Sequence, residues 1–207
     1  PALPAEPAVP DAFRSLLDSS HGSSRTRAIM AERLAPPDAA RAKTVLADPA
    51  LRQLRHVLAR ILPQEALFGD RAIDIATRIG VRLAGSGDMD SGDGWRFASL
   101  PPDSRAYALA LETLDRAARQ TYEAGLESLA PEAMDALLRQ VEGGTLSDGT
   151  LDADQMRAGF SDLRADAVQI FMSHPATQAA FGVSAIATGG DDAIQGFAHV
   201  GPDQLDA

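Results

Sequence analysis

Apolar residues recur along most of this chain at spacings of three and four, the repeat that lines one face of an α-helix. Between Asp48 and Pro63 the stripe is Leu51, Leu54, Leu58 and Ile61, with Val57 and Leu62 beside it. Pro49 suits the first turn of a helix, Asp48 is placed to cap it, and Pro63 ends it. A second stripe of Ile73, Ala76, Ile79 and Leu83 begins near Asp70 and runs out at Gly85-Ser-Gly87. A long helix is predicted from about Asp103 to Ala124, with Tyr107, Leu111, Leu114, Ala118 and Tyr122 in register. Pro131 opens another, with Met134, Leu137, Leu138 and Val141 inward, and Gly143-Gly144 closes it. Asp152 is placed to cap a further long helix carrying Met156, Phe160, Leu163, Ala167, Ile170 and Phe171. It stops at His174-Pro175, where proline forbids continuation. Short helical stretches at Thr26–Leu34 and from Ala176 to Phe181 complete the pattern.

No segment of length alternates with period two, and Val183–Ile186 comes nearest to a strand. The expected fold is therefore all-α, an irregular bundle of about five to seven helices. Residues 1–25 read as a disordered or extended tail. The opening Pro1-Ala-Leu-Pro-Ala-Glu-Pro-Ala-Val-Pro10 favours solvated, extended chain, and Ser19–Ser24 is a polar cluster. Residues 26–207 read as a single helical domain with a Gly/Asp-rich loop at 85–102 and an irregular C-terminal segment.

Composition narrows what such a domain can do. Of the 207 residues, 45% are hydrophobic, enough to fill one core. There is no cysteine, which excludes a disulfide framework, cysteine-ligated zinc or iron–sulfur clusters, covalent haem and a thiol nucleophile. Lys plus Arg is 19 against 29 Asp plus Glu, a net charge of -10. A field of that sign repels nucleic-acid phosphates and anionic membrane surfaces. No apolar run approaches the ~18–20 residues of a membrane span.

Candidate chemistry is sparse. Asp88, Asp90 and Asp93 sit on the glycine-rich loop and are the one candidate calcium site. Their spacing departs from an EF-hand, with the third Asp one place late and no Glu at the twelfth position. The four histidines, His21, His56, His174 and His199, form no metal-binding spacing. His56 reads as a surface residue, and His174 as a helix-end residue favoured by the dipole. Nucleophile elbows, phosphate loops and dinucleotide fingerprints are missing, and the carboxylates are too numerous to single out a catalytic pair. Phe160 and Phe171 read as core. Trp95, Phe181 and Phe197, with His174 and Pro175 at the helix end, are the candidates for a partner interface. The residues alone thus point to an acidic helical domain that acts by binding, with no catalytic or cofactor-binding residue to name.

Three stretches carry a resemblance. Tyr107–Arg119 followed by Leu126-Glu-Ser-Leu-Ala-Pro-Glu-Ala-Met-Asp-Ala-Leu-Leu138 resembles the central part of the gluconate 2-dehydrogenase subunit 3 family. There a long helix leads to a Leu-Ser/Ala-Pro-Glu segment ending in Leu-Leu. Phe160–Pro175 is similar to the family's later helix, and Leu51–Pro63 to its early helix ending in Pro. The likeness covers roughly Leu51 to Gly201. It departs at Thr177-Gln-Ala-Ala-Phe-Gly182, where the family continues with a Tyr-Gly-Gly-Asn-like turn and a Trp. What the resemblance implies is a non-catalytic small subunit beside a large FAD-dependent dehydrogenase of the glucose-methanol-choline type, often with a multihaem cytochrome c. It implies twin-arginine export to the periplasm, a supporting role in the flavoprotein's maturation, export or stability, and no cofactor in this chain. A processed, proline-rich start fits that expectation. The alternative is a free-standing periplasmic helical binding protein for a small ligand or calcium.

Overall fold

A computed structural model describes residues 5–19, 23–85, 99–146 and 150–182. Among these are ten α-helices and no strand, which bears out the all-α expectation with more helices than the five to seven foreseen. In chain order they are α1 (Asp11–Asp18), α2 (Ser24–Leu34), α3 (Ala39–Ala42), α4 (Asp48–Ile61) and α5 (Glu65–Phe68). Then follow α6 (Ile75–Gly85), α7 (Asp103–Tyr122), α8 (Pro131–Glu142), α9 (Ala153–Ser173) and α10 (Pro175–Ala180). A short 3-10 turn at Leu126–Ser128 lies between α7 and α8. The extra helices are mostly one to two turns long, too short for a periodic stripe to show in sequence.

The described chain forms two compact units. One comprises described residues of Pro37–Gly69 and Asp74–Ile170, the other described residues of Pro4–Pro36, Asp70–Ile73 and from Phe171 on. One domain from residue 26 was the expectation, and the tail reading of 1–25 is corrected over Asp11–Asp18. That segment is helical, and Leu17 packs with Met30, Phe13 and Leu34. Phe13 and Leu17, two apolar residues inside a polar stretch, tie it to Met30 and Leu34 of α2.

In the larger unit the predicted stripes face inward. Leu51, Leu54, Val57 and Leu58 of α4 are buried, as are Met134, Leu137, Leu138 and Val141 of α8. On α7 Tyr107, Leu111, Leu114 and Ala118 are buried, joined by Ser104, Ala106, Thr113 and Ala117. Helix α4 packs against α6, α7 and α8, and α3 lies along α6. Gly80 permits that last contact: a Cβ there would stand 2.8 Å from the Cβ of Ala42 and 3.4 Å from Leu51 Cδ2.

Helix starts follow local chemistry, with two shifts from expectation. Asp48 is the first residue of α4 and Ala47 the N-cap; Asp48 pairs with Lys43 at 2.9 Å. Helix α6 starts at Ile75 because Asp74 accepts the Thr77 N–H at 3.2 Å, satisfying an orphan donor of its first turn. Asp152 does cap α9, as a reciprocal box. Its Oδ1 accepts from the Gln155 N–H at 2.8 Å, and Gln155 Oε1 accepts from the Asp152 N–H at 3.0 Å. Helix α7 ends on Glu123, whose φ of 55° places a non-glycine residue in the left-handed region.

Candidate functional site

Charge in the larger unit is organised around helix ends and one buried centre. Arg55 of α4 donates to both oxygens of Asp74 at 3.2 Å and to Thr77 Oγ1 at 2.7 Å, and that hydroxyl donates to Asp74 at 2.6 Å. Asp115 accepts from the Leu126 N–H at 2.8 Å and from Arg119 at 2.7 Å. Burial alone would raise the Asp115 carboxyl, but these donors outweigh it and hold it below its ordinary value. Both clusters fasten the chain where it changes direction.

The centre lies among α6, α7 and α9. Asp166 is fully buried and accepts both terminal nitrogens of Arg82 in a bidentate pair. Tyr107 donates its hydroxyl to the same carboxylate. Burial opposes the charge on Arg82, yet the hydrogen bond and charge of Asp166 hold the guanidinium above its ordinary value. Burial first, then the adjacent carboxylate, pushes the Tyr107 phenol well above its usual value, so it remains a donor. Asp162, one turn earlier on α9 and 6% exposed, adds a second buried carboxylate near Arg82. Tyr107 and Asp162 also border a cavity of about 40 Å³ with Leu54, Leu111, Met156 and Phe160. At that size the cavity has room for water, not for a substrate.

A larger groove of about 370 Å³ opens beside the ends of α4 and α8. Its lining includes Arg60, Asp135, Arg139, Glu142, Phe160 and Arg164. Arg60 grips Asp135 through two hydrogen bonds of 2.8 Å, which lower the Asp135 carboxyl from its ordinary value. Arg164 donates to Glu142 at 3.0 Å and stands 5.7 Å from the centre of the Phe160 ring. The Arg139 side chain is exposed and makes no hydrogen bond among the described residues, although its charge also acts on Asp135.

The sequence-predicted site residues fall apart. Asp88, Asp90, Asp93, Trp95 and Phe197 lie outside the described residues, as do His21, His199 and Val183–Ile186. Among the described residues no group of three or more acidic or histidine side chains is arranged to hold a metal. His56 is exposed, as expected. His174, Pro175 and Phe181 all lie in the smaller unit, and only Phe181, 54% exposed, offers a surface. His174 and Pro175 are buried, so the partner-interface expectation is corrected for both. His174 is the N-cap of α10, not a dipole-favoured C-terminal residue of α9. Its Nδ1 accepts the Ala176 N–H at 3.2 Å, and its Nε2 faces Glu6 Oε2 at 3.8 Å. His174→Ala should lower stability by about 1–3 kcal/mol, from the lost cap and the void it leaves; urea unfolding reads the loss.

The buried centre was missed by the sequence reading, although a signal existed. Asp162 and Asp166 fall at helical spacing beside Leu163 and Ala167, inside the apolar stripe of α9. A carboxylate in such a stripe demands a buried cation or donor. Phe160, read as core, is only half-buried because it lines the groove. The groove itself has no sequence signature, since its arginines come from three helices.

An all-helical chain, with charge gathered in one buried centre and one open groove among the described residues, is the class these features define. The chain belongs to the family described as Gluconate 2-dehydrogenase subunit 3, whose pattern it matches over residues 49–190. That match covers α4 to α10, all but the first residue of α4, and bears out the resemblance carried by Leu51–Pro63, Tyr107–Leu138 and Phe160–Pro175. By its family the chain is an accessory subunit of a dehydrogenase complex. No curated protein and no solved structure gives a match to the chain. Among the described residues no helix is long and apolar enough to cross a membrane.

Proposed function

We propose that this chain is the non-catalytic small subunit of a periplasmic, FAD-dependent dehydrogenase complex of the glucose-methanol-choline type. The complex oxidises sugars, sugar acids or related alcohols, and the flavin belongs to the large subunit, with a multihaem cytochrome c as a further partner. The small subunit supports the maturation, export or stability of the flavoprotein. The observation that carries this reading is the family match across residues 49–190.

The chemistry of the described residues is consistent with support. The buried Asp166 binds Arg82 and Tyr107, and Asp74 and Asp115 fasten helix ends. Such groups position helices. A side chain already committed to two strong donors is poorly placed to move a proton to or from a substrate. The absence of cysteine fits the same role, because covalent haem and iron–sulfur clusters both need thiolates.

Deletion of this chain in its native host tests the role. The expected result is a large loss of exported, flavin-loaded dehydrogenase, restored when the chain is supplied again. Undiminished dehydrogenase activity and flavin content in the deletion strain would remove the proposal.

A further inference from the structure

We infer that Met172, in the last turn of α9, is a site of reversible oxidation by peroxides. The chain has no cysteine, so its five methionines carry all of its sulfur. Thioether sulfur is oxidised where the reagent can reach it. Met30, Met134 and Met156 are each 2% exposed, whereas Met172 is 50% exposed. Met89 lies outside the described residues. Among the described residues, then, Met172 is the sulfur open to solvent.

The geometry of α9 explains why. Its inward side near this end carries Leu163, Ala167 and Phe171, all buried and spaced four apart. Met172 follows Phe171 and is therefore turned about 100° round the helix from it. It belongs to the smaller unit, as do Ile29 and Phe181. These three are the large apolar side chains that this unit exposes among the described residues. A polar oxygen on Met172 thus changes the character of a surface that has few other apolar groups.

The step balances without a metal or cofactor. The sulfur lone pair attacks one oxygen of hydrogen peroxide, the O–O bond breaks and an S–O bond forms. The proton of the transferred hydroxyl passes to the departing hydroxide, which leaves as water. Sulfur gives up two electrons and the peroxide takes them. A thiol-dependent reductase of the methionine sulfoxide class reverses the change. Because the side chain stands half in water, the product needs no space in the core, and the fold survives it.

The test treats the full chain with hydrogen peroxide and follows oxygen addition at each methionine by peptide mass mapping, which scores Met89 separately. Met172 should gain one oxygen about tenfold or more faster than Met30, Met134 and Met156, because oxidation follows exposure. Retention on a hydrophobic-interaction column should fall in step with Met172 oxidation and return after reductase and thiol are added. Met172→Leu keeps an apolar side chain of similar size without sulfur, so its retention should hold under the same treatment. Oxidation of Met172 no faster than of the three buried methionines would overturn the inference. An equal loss of retention in Met172→Leu would do so as well.

Discussion

Asp166→Ala is expected to destabilise the larger unit by about 3 kcal/mol, a value near the lower end for breaking a buried ion pair. The carboxylate is fully buried and has three donors on it, two from Arg82 and one from Tyr107. Its removal leaves the phenol without its acceptor and brings Arg82 closer in effect to Asp162 alone. The loss stays near the lower end because the Arg82 side chain is 35% exposed and part of its charge can be hydrated. Tyr107→Phe removes only one hydrogen bond and should cost about 1 kcal/mol. Urea unfolding monitored by circular dichroism separates the two. A loss below about 1 kcal/mol for Asp166→Ala would show that the centre does not hold α6, α7 and α9 together.

Tyr107 also has a pH signature. Its phenol is raised in the folded chain above the ordinary value of 10.0. Above that pH the unfolded chain releases the proton while the folded chain keeps it, so the folded state binds more protons and stability falls as pH rises. Below pH 10 both states are protonated and the contribution is fully present. Thermal midpoints of Tyr107→Phe should therefore decline less than wild type through the alkaline range.

Gly80→Val is the second large effect, a loss of about 2–3 kcal/mol, in the range for overpacking a tight core contact. The first added carbon would stand 2.8 Å from Ala42 Cβ and 3.3 Å from Ala42 Cα. Ala42 is fully buried and its Cα is backbone, so α3 itself must move. The usual gain from replacing a helical glycine, about 1 kcal/mol, is outweighed. Gly159 in α9 provides the control, because nothing lies within 4 Å of a Cβ built there. Gly159→Ala should stabilise by about 0.5–1 kcal/mol. Opposite signs at the two glycines would locate the close approach at α3 and α6; a stabilising Gly80→Val would contradict it.

These two effects also mark what the sequence could and could not convey. The inward faces of α4 and α8 were legible residue by residue, because Leu51, Leu54, Met134 and Leu137 repeat at helical spacing and no tertiary feature competes. The cap at Asp152 was legible from a short-range rule. The start of α6 was not, because Asp74 had to be preferred over Asp70, and that choice rests partly on the Arg55 contact from another helix. Helix α1 was hidden by its polar surroundings. Asp166 was visible only as an anomaly in the α9 stripe, and naming Arg82 as its partner needs the fold. The groove depends wholly on tertiary placement, since residues 60, 139 and 164 share nothing in sequence. The family, by contrast, was legible from short helical motifs spread across the chain.

The central claim is that this chain works as one subunit of a flavin dehydrogenase complex. The most direct test is native purification of the tagged chain from its own host, with flavin absorbance and protein mass followed across size exclusion. The chain is expected to elute with a flavin-containing large subunit, at a fixed ratio, in a fraction with dehydrogenase activity. Elution of the chain by itself, free of flavin and far from any dehydrogenase activity, would contradict it.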